Sequence, residues 1–172
     1  GGGFTNHIVD GVKSIIGGGQ QNEIHEQHSF IGGGVSNIIN SSTFGQSNNI
    51  VGGSFNIVSG SFSTVGGGKT NNIYKGWANT IAGGWYNTIN LGEKNIIAGG
   101  VDNTINNYFY SSILGGSGNT INHNNSHIIG SGILSVSANT THVEKLNIKT
   151  LTGGTSVVAL GLDANNMVVS AT

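Results

Sequence analysis

Ile81-Ala-Gly-Gly-Trp-Tyr-Asn-Thr-Ile89 sets the pattern for the chain. It reads aliphatic, spacer, Gly-Gly, two free positions, Asn, one free position, aliphatic. The pattern returns as Ile97-Ala-Gly-Gly-Val-Asp-Asn-Thr-Ile105 and Ile113-Leu-Gly-Gly-Ser-Gly-Asn-Thr-Ile121, and appears earlier as Ile16-Gly-Gly-Gly-Gln-Gln-Asn-Glu-Ile24. The Asn after each Gly-Gly falls at Asn6, Asn22, Asn37, Asn56, Asn71, Asn87, Asn103 and Asn119, in steps of 16, 15, 19, 15, 16, 16 and 16. Self-similarity at a fixed short period is the mark of a repeat architecture.

A second half-repeat lies between these. Ser or Asn, one free residue and an aliphatic recur as Ser14/Ile16, Ser29/Ile31, Asn48/Ile50, Ser63/Val65, Asn79/Ile81, Asn95/Ile97, Ser111/Ile113 and Ser126/Ile128. Each unit therefore holds two short strands and two turns. From the aliphatic before Gly-Gly to the next Asn the count is always six; the other turn takes five, six or nine residues. A fixed length points to a tight structural constraint, and a variable one to an exposed turn free to carry function.

About 16 residues are too few for a helical hairpin, and no apolar residue recurs at helical spacing. Two strands of four or five residues and two turns fit an all-β parallel β-solenoid, or β-roll, of about eight 15–16-residue coils. The two residues of each Asn-x-Ile or Ser-x-Ile pair share parity and point inward together. Ile columns then stack between coils, and Asn or Ser side chains bond to the coils above and below, satisfying turn backbone groups. At about 4.8 Å per coil, eight coils make a rod of roughly 38 Å.

The 172 residues include 31 Gly and 24 Asn, about a third of the chain, with no Cys and no Pro. Such composition alone would suggest disorder, but disordered chains have no need of phased aliphatics. Six Lys against seven acids give a net charge of −1, which leaves no electrostatic footprint for nucleic acid or an anionic membrane. No apolar run is long enough to span a bilayer. The chain begins inside a Gly-Gly-Gly turn without Met, as expected of a fragment of a longer protein. Each coil contributes only about two core aliphatics, so a lone rod buries little and an oligomer is expected.

The repeat region is expected over 1–129, a linker over 130–138, and a C-terminal β-hairpin cap over 139–172. Val143, Leu146, Ile148 and Leu151 suggest a strand, and Val157–Leu162 with Met167–Val169 read as a hairpin about Asp163–Asn166. A cap would cover the strand edges that an open solenoid end exposes.

These short, Gly-punctuated Ser/Asn-x-Ile half-repeats resemble the YadA-like heads of trimeric autotransporter adhesins. The resemblance implies a left-handed parallel β-roll with three chains side by side. Similar arrays occur in viral and phage fibre proteins. The run Leu146-Asn-Ile-Lys-Thr-Leu-Thr-Gly-Gly-Thr155, followed by Leu160-Gly-Leu-Asp-Ala-Asn-Asn-Met-Val-Val169, looks like the segment that ends many virion fibre modules, where it often precedes a trimerising chaperone domain. The likeness covers residues 1–128 for the roll and 139–172 for the end segment. The doubled Gly, the longer unit and the lack of a membrane anchor in this chain depart from the adhesin head, so the fibre reading ranks above it. It implies a homotrimer on a virion, or an extracellular or cell surface.

The acids Asp10, Glu23, Glu26, Glu93, Asp102, Glu144 and Asp163 are scattered. Glycoside cleavage needs two carboxylates across a cleft; only Glu23 and Glu26 are near in sequence, and a solvated turn accounts for both. No enzyme is expected, and the chain reads as less suited to a polysaccharide-degrading tailspike. His25 with His28, and His123 with His127, match no established zinc spacing, so no metal or other cofactor is expected. The Gly-Gly turns lack the helix and Lys-Ser/Thr of a phosphate loop. Thr88, Thr104 and Thr120 share an outward column, as in ice-binding solenoids, but His7, Glu23, Ile38, Ile57 and Asn72 occupy it elsewhere.

The remaining candidates are turn aromatics: Tyr74, Trp77, Trp85, Tyr86, Tyr108, Phe109 and Tyr110. Aromatic faces suit the apolar C–H patches of sugar rings; packing between chains or over coil edges accounts for them equally well. The expectation is a structural fibre or adhesin segment that extends from a surface and attaches to a host glycan or protein receptor, with an ice-binding solenoid as the alternative.

Overall fold

The computed structural model describes residues 3–9, 12–40 and 47–145, and the backbone of 160–162 and 168–170. The rod is a parallel β-solenoid with a spacing of about 16 residues, and no helix occurs among the described residues. Sheet 1 takes one strand from each coil, from His7–Ile8 to Thr120–Ile121, eight in all. Sheet 2 starts at Ile15–Ile16 and has nine strands, ending with Ser126–Ile129 and Thr140–Val143. The strands are shorter than the four or five residues expected, most being two residues long. Turns replace the ladder on either side of them, so the coil is a chain of short straight pieces and sharp corners.

The register is that of the repeat. Thr88–Ile89 pairs with Thr104–Ile105, and Thr80–Ile81 with Ile96–Ile97. Fourteen aliphatics, seven from each sheet and running from Ile24 to Ile128, are fully buried in one contiguous core. The Asn of each Asn-x-Ile pair is buried beside them, from Asn22 to Asn119, as the shared parity requires.

These asparagines form a relay. Asn87 Nδ2 donates to Asn71 Oδ1 (3.1 Å), to Gly83 O within its own turn (3.0 Å) and to Gly100 O of the next coil (3.0 Å). Its Oδ1 accepts the Asn103 backbone N–H (3.1 Å) and Nδ2 (3.0 Å). Ser and Asn share the second ladder because both can accept from the next coil and donate onward. Ser63 Oγ accepts the Asn79 N–H (3.2 Å), and Asn79 Oδ1 accepts the Asn95 N–H (3.0 Å). Ser111 Oγ in turn donates to His123 O, while Asn95 Nδ2 donates to Tyr108 O.

One feature carries no residue signature. Nearly every residue just before a ladder Asn or Ser is left-handed, including Thr70 (φ 56°), Tyr86 (58°), Lys94 (57°) and Tyr110 (57°). This conformation costs an L-residue about 1–2 kcal/mol. It persists because it turns the ladder side chain inward and aims the residue's own N–H at the previous coil, as Tyr86 N does at Lys69 O (3.0 Å). Thr5 and Thr70, both at φ 56°, are the worst cases, since a β-branched residue tolerates positive φ least. Thr70→Gly is expected to raise unfolding stability by about 1 kcal/mol; a decrease in a denaturant titration would show that the threonine side chain contributes more than the strain it adds.

Residues 130–143, spanning the expected linker over 130–138 and the start of the expected cap at 139, carry a further stacked segment. Thr140–Val143 pairs in parallel with Ser126–Ile129, and Leu134 bridges to Thr120. Ile133 takes the ladder slot, its N–H donating to Asn119 Oδ1 (3.0 Å), and Ser135 is buried. The repeat signature fails there because an aliphatic stands where Asn stood. In the expected cap, Leu160–Leu162 pairs antiparallel with Val168–Ser170 as a hairpin; residues 146–159 lie outside the described residues.

Candidate ligand-binding edge

The two kinds of turn lie on opposite edges of the coil, because the chain runs from sheet 1 through the variable turn to sheet 2 and back through Gly-Gly. This divides the seven sequence-selected aromatics. Trp85 and Tyr86 stand on the Gly-Gly edge, where Trp85 bridges to Lys69 and Val101. Tyr74, Trp77, Tyr108, Phe109 and Tyr110 stand on the variable edge, in two turns separated by the one that carries Glu93 and Lys94.

The variable edge has its own small β-ladder. Ser61, Trp77 and Glu93 bridge in parallel, and Gly92–Glu93 pairs with Tyr108–Phe109. This holds the rings at fixed heights. Phe62 meets Trp77 edge-on at 5.6 Å between centroids. Lys94 Nζ lies 5.8 Å from the Trp77 ring and 4.9 Å from the Tyr110 ring, and donates to Tyr110 Oη (3.2 Å). Phe62, Trp77, Lys94 and Tyr110 thus make a continuous run over four coils. Trp77 keeps 44% of its surface open and Tyr110 53%. Tyr108 is half-buried and stacks on His123 at 6.1 Å. Tyr74 Oη accepts from Asn72 Nδ2 (3.2 Å).

Phe62 and Lys94 were missed in the sequence. The signal was available: each fills the slot just before a ladder residue, Ser63 and Asn95, as Tyr110 does before Ser111. Beside this edge, Asn90 donates to Asn106 and Asn106 to Asn122 (2.8 Å each), an outward amide ladder. Thr88, Thr104 and Thr120 do align in one outward column, which continues through Asn72, Ile57, Ile38, Glu23 and His7.

Glu26 corrects the expectation of a solvated turn. It is only 4% exposed and occupies the position three before Ser29, where Gly60 and Gly76 stand in later coils. There its Oε1 accepts from Asn48 Nδ2 and Ser29 Oγ, so the carboxylate is built into the Ser/Asn relay. Glu23 faces outward from sheet 1 instead, with Oε1 2.9 Å from His25 Nε2. The other described acids are spread out, Glu93 on the variable edge, Asp102 on the Gly-Gly edge and Glu144 after the last strand of sheet 2; Asp10 and Asp163 lie outside the described residues. His123 stacks on Tyr108, whereas His127 Nδ1 is 2.8 Å from Ser112 Oγ on the outer face of sheet 2. Among the described residues, no three His, Asp or Glu side chains gather into a metal site.

No protein-family model matches the chain, and no curated protein matches it. The described residues contain no helix long and apolar enough to cross a membrane.

Proposed function

We propose that this chain is a non-enzymatic segment of a surface fibre, on a virion or a cell, that works as a homotrimer and attaches through the variable edge to host glycan. The observation that carries this reading is the run Phe62, Trp77, Lys94 and Tyr110 over four consecutive coils, three solvent-open rings with the Lys94 ammonium between the last two. Exposed aromatic surface on a rigid support is suited to stacking on sugar rings at little entropic cost. The coil step of about 4.8 Å is comparable with the size of one sugar ring. Asn90, Asn106 and Asn122 place amides beside the rings where sugar hydroxyls would need partners. A protein receptor is the second possibility for the same edge.

A glycan array read with the fluorescently labelled chain is the test. Trp77→Ala and Tyr110→Ala together are expected to lower binding at least tenfold, since base or sugar stacking on one ring contributes on the order of 1–2 kcal/mol. Circular dichroism should remain that of the folded rod. Undiminished binding by a folded double variant would remove the receptor role from this edge.

A further inference from the structure

We propose that the glycan held by the variable edge is acidic: a linear polysaccharide lying along the rod, with the carboxylate of an internal uronic acid on the Lys94 ammonium. This rests on the glycan attachment of the fibre reading and names the chemical class of that glycan.

The run of rings is one column of the stack. Phe62, Ala78, Lys94, Tyr110, Asn125 and Asn139 succeed one another along the rod, and all six are left-handed. One shared backbone conformation gives each side chain the same exit from its coil. Where the column holds only Ala78, the neighbouring Trp77 fills the place, edge-on to Phe62 and 5.8 Å from Lys94 Nζ. Along the rod the order is therefore ring, ring, ammonium, ring, amide, amide. Asn125 Nδ2 donates to Asn139 Oδ1 (2.9 Å), and both residues are exposed, so the column ends in groups able to pair with hydroxyls.

Lys94 stands one coil step from Trp77 and one from Tyr110, which places those rings two steps, roughly 10 Å, apart. One coil step is comparable with one sugar unit. A sugar chain that follows the rod thus sets successive units on Trp77, Lys94 and Tyr110. The outer two meet ring faces, and the middle one meets a cation. That position selects an anionic group on a sugar inside the chain. An acid at the end of a branch engages Lys94 but leaves one of the two flanking rings unused.

The charge of Lys94 is available to such a group. The residue is exposed, and among the described residues no ion pair ties it to a carboxylate. Tyr110 Oη accepts one of its N–H groups at 3.2 Å. The ammonium keeps further donors, and its hydrogen bonds to a carboxylate are about twice as strong as those between neutral groups. Glu93 belongs to the adjacent column, between Trp77 and Phe109. From Ser59 to Asn125 the turns of this edge carry Lys75 and Lys94 against Glu93 alone, so the edge leans positive although the whole chain has a net charge of −1. A neutral sugar uses none of this.

The test is an array of four glycan classes: neutral linear chains, linear chains with internal uronic acids, sialylated chains and sulfated chains. Each uronic acid polysaccharide is printed beside its carboxyl-reduced form. The native protein is expected to bind the uronic acid class, and carboxyl reduction to lower that binding at least about tenfold. Lys94→Gln should lower it roughly five- to tenfold, with Lys94→Arg keeping at least about half. Raising sodium chloride from about 0.05 M to about 0.5 M should weaken it severalfold. Carboxyl reduction tests the unmodified chain, so the result stands even where Lys94→Gln does not fold. Binding confined to neutral glycans overturns the acidic class and leaves glycan attachment standing. Binding confined to sialylated or sulfated chains overturns the internal uronic acid. Full binding by a folded Lys94→Gln overturns the assignment to Lys94. Failure to bind any glycan overturns this inference and the attachment reading together.

Discussion

Asn87→Ala is expected to cost roughly 4 kcal/mol of unfolding stability, although it removes one small polar side chain. The reason lies in what loses its partner. Gly100 O still accepts from Trp85 N, and Asn71 Oδ1 still accepts from the residue 87 backbone N–H. The Asn103 N–H and Gly83 O lose the partners that Asn87 supplied. Asn87 and Asn103 are fully buried, so water cannot reach the Asn103 N–H, whereas Gly83 is half-buried and its carbonyl is partly open to solvent. Each buried group left unmade costs about 1–3 kcal/mol, and the vacated volume adds to that. Asn87→Ser should recover roughly half, because a hydroxyl can accept the Asn103 N–H as Ser63 Oγ accepts that of Asn79. Thr88→Ala, half-exposed one residue away, should cost about 0.5 kcal/mol or less. Urea unfolding followed by circular dichroism separates the three. A loss below about 1 kcal/mol for Asn87→Ala would show that the relay reports the fold without holding it.

That relay was legible in the sequence because it depends on residue type. Only a short side chain with both donor and acceptor capacity can sit beside the Ile column, so Asn and Ser mark its phase at every coil. The difference between the two edges was legible from turn length alone. The left-handed slot was not. Thr, Phe, Tyr, Lys and Asp all occupy it, since its conformation is imposed by the inward ladder residue after it and the carbonyl below it, neither of which selects a side chain. For the same reason Phe62 and Lys94 went unnoticed although they share this slot with Tyr110. Glu26 was misread because burial of a carboxylate depends on partners from another coil, Asn48 above all, which lies 22 residues on. Over 130–138 the stacking leaves no mark in the sequence, because a backbone N–H, that of Ile133, is all the Asn ladder requires of its last neighbour.

Two adjacent glycines should behave as opposites. Gly84→Ala is expected to cost about 3–5 kcal/mol, and Gly83→Ala less than about 0.5 kcal/mol in the coil itself. At Gly84 the backbone has φ +93°, and a Cβ would lie 2.2 Å from Gly100 O, 2.6 Å from Asn87 Nδ2 and 2.9 Å from Gly100 N. The obstruction is backbone of the next coil, itself fixed by the ladder, so the stack must open to admit a methyl group. Gly83 faces open space. Thermal unfolding at equal protein concentration should therefore show a loss of many degrees for Gly84→Ala. For Gly83→Ala the circular dichroism spectrum and the melting temperature should be nearly unchanged. If Gly84→Ala were tolerated as well as Gly83→Ala, adjacent coils could not lie as close as the Asn relay requires.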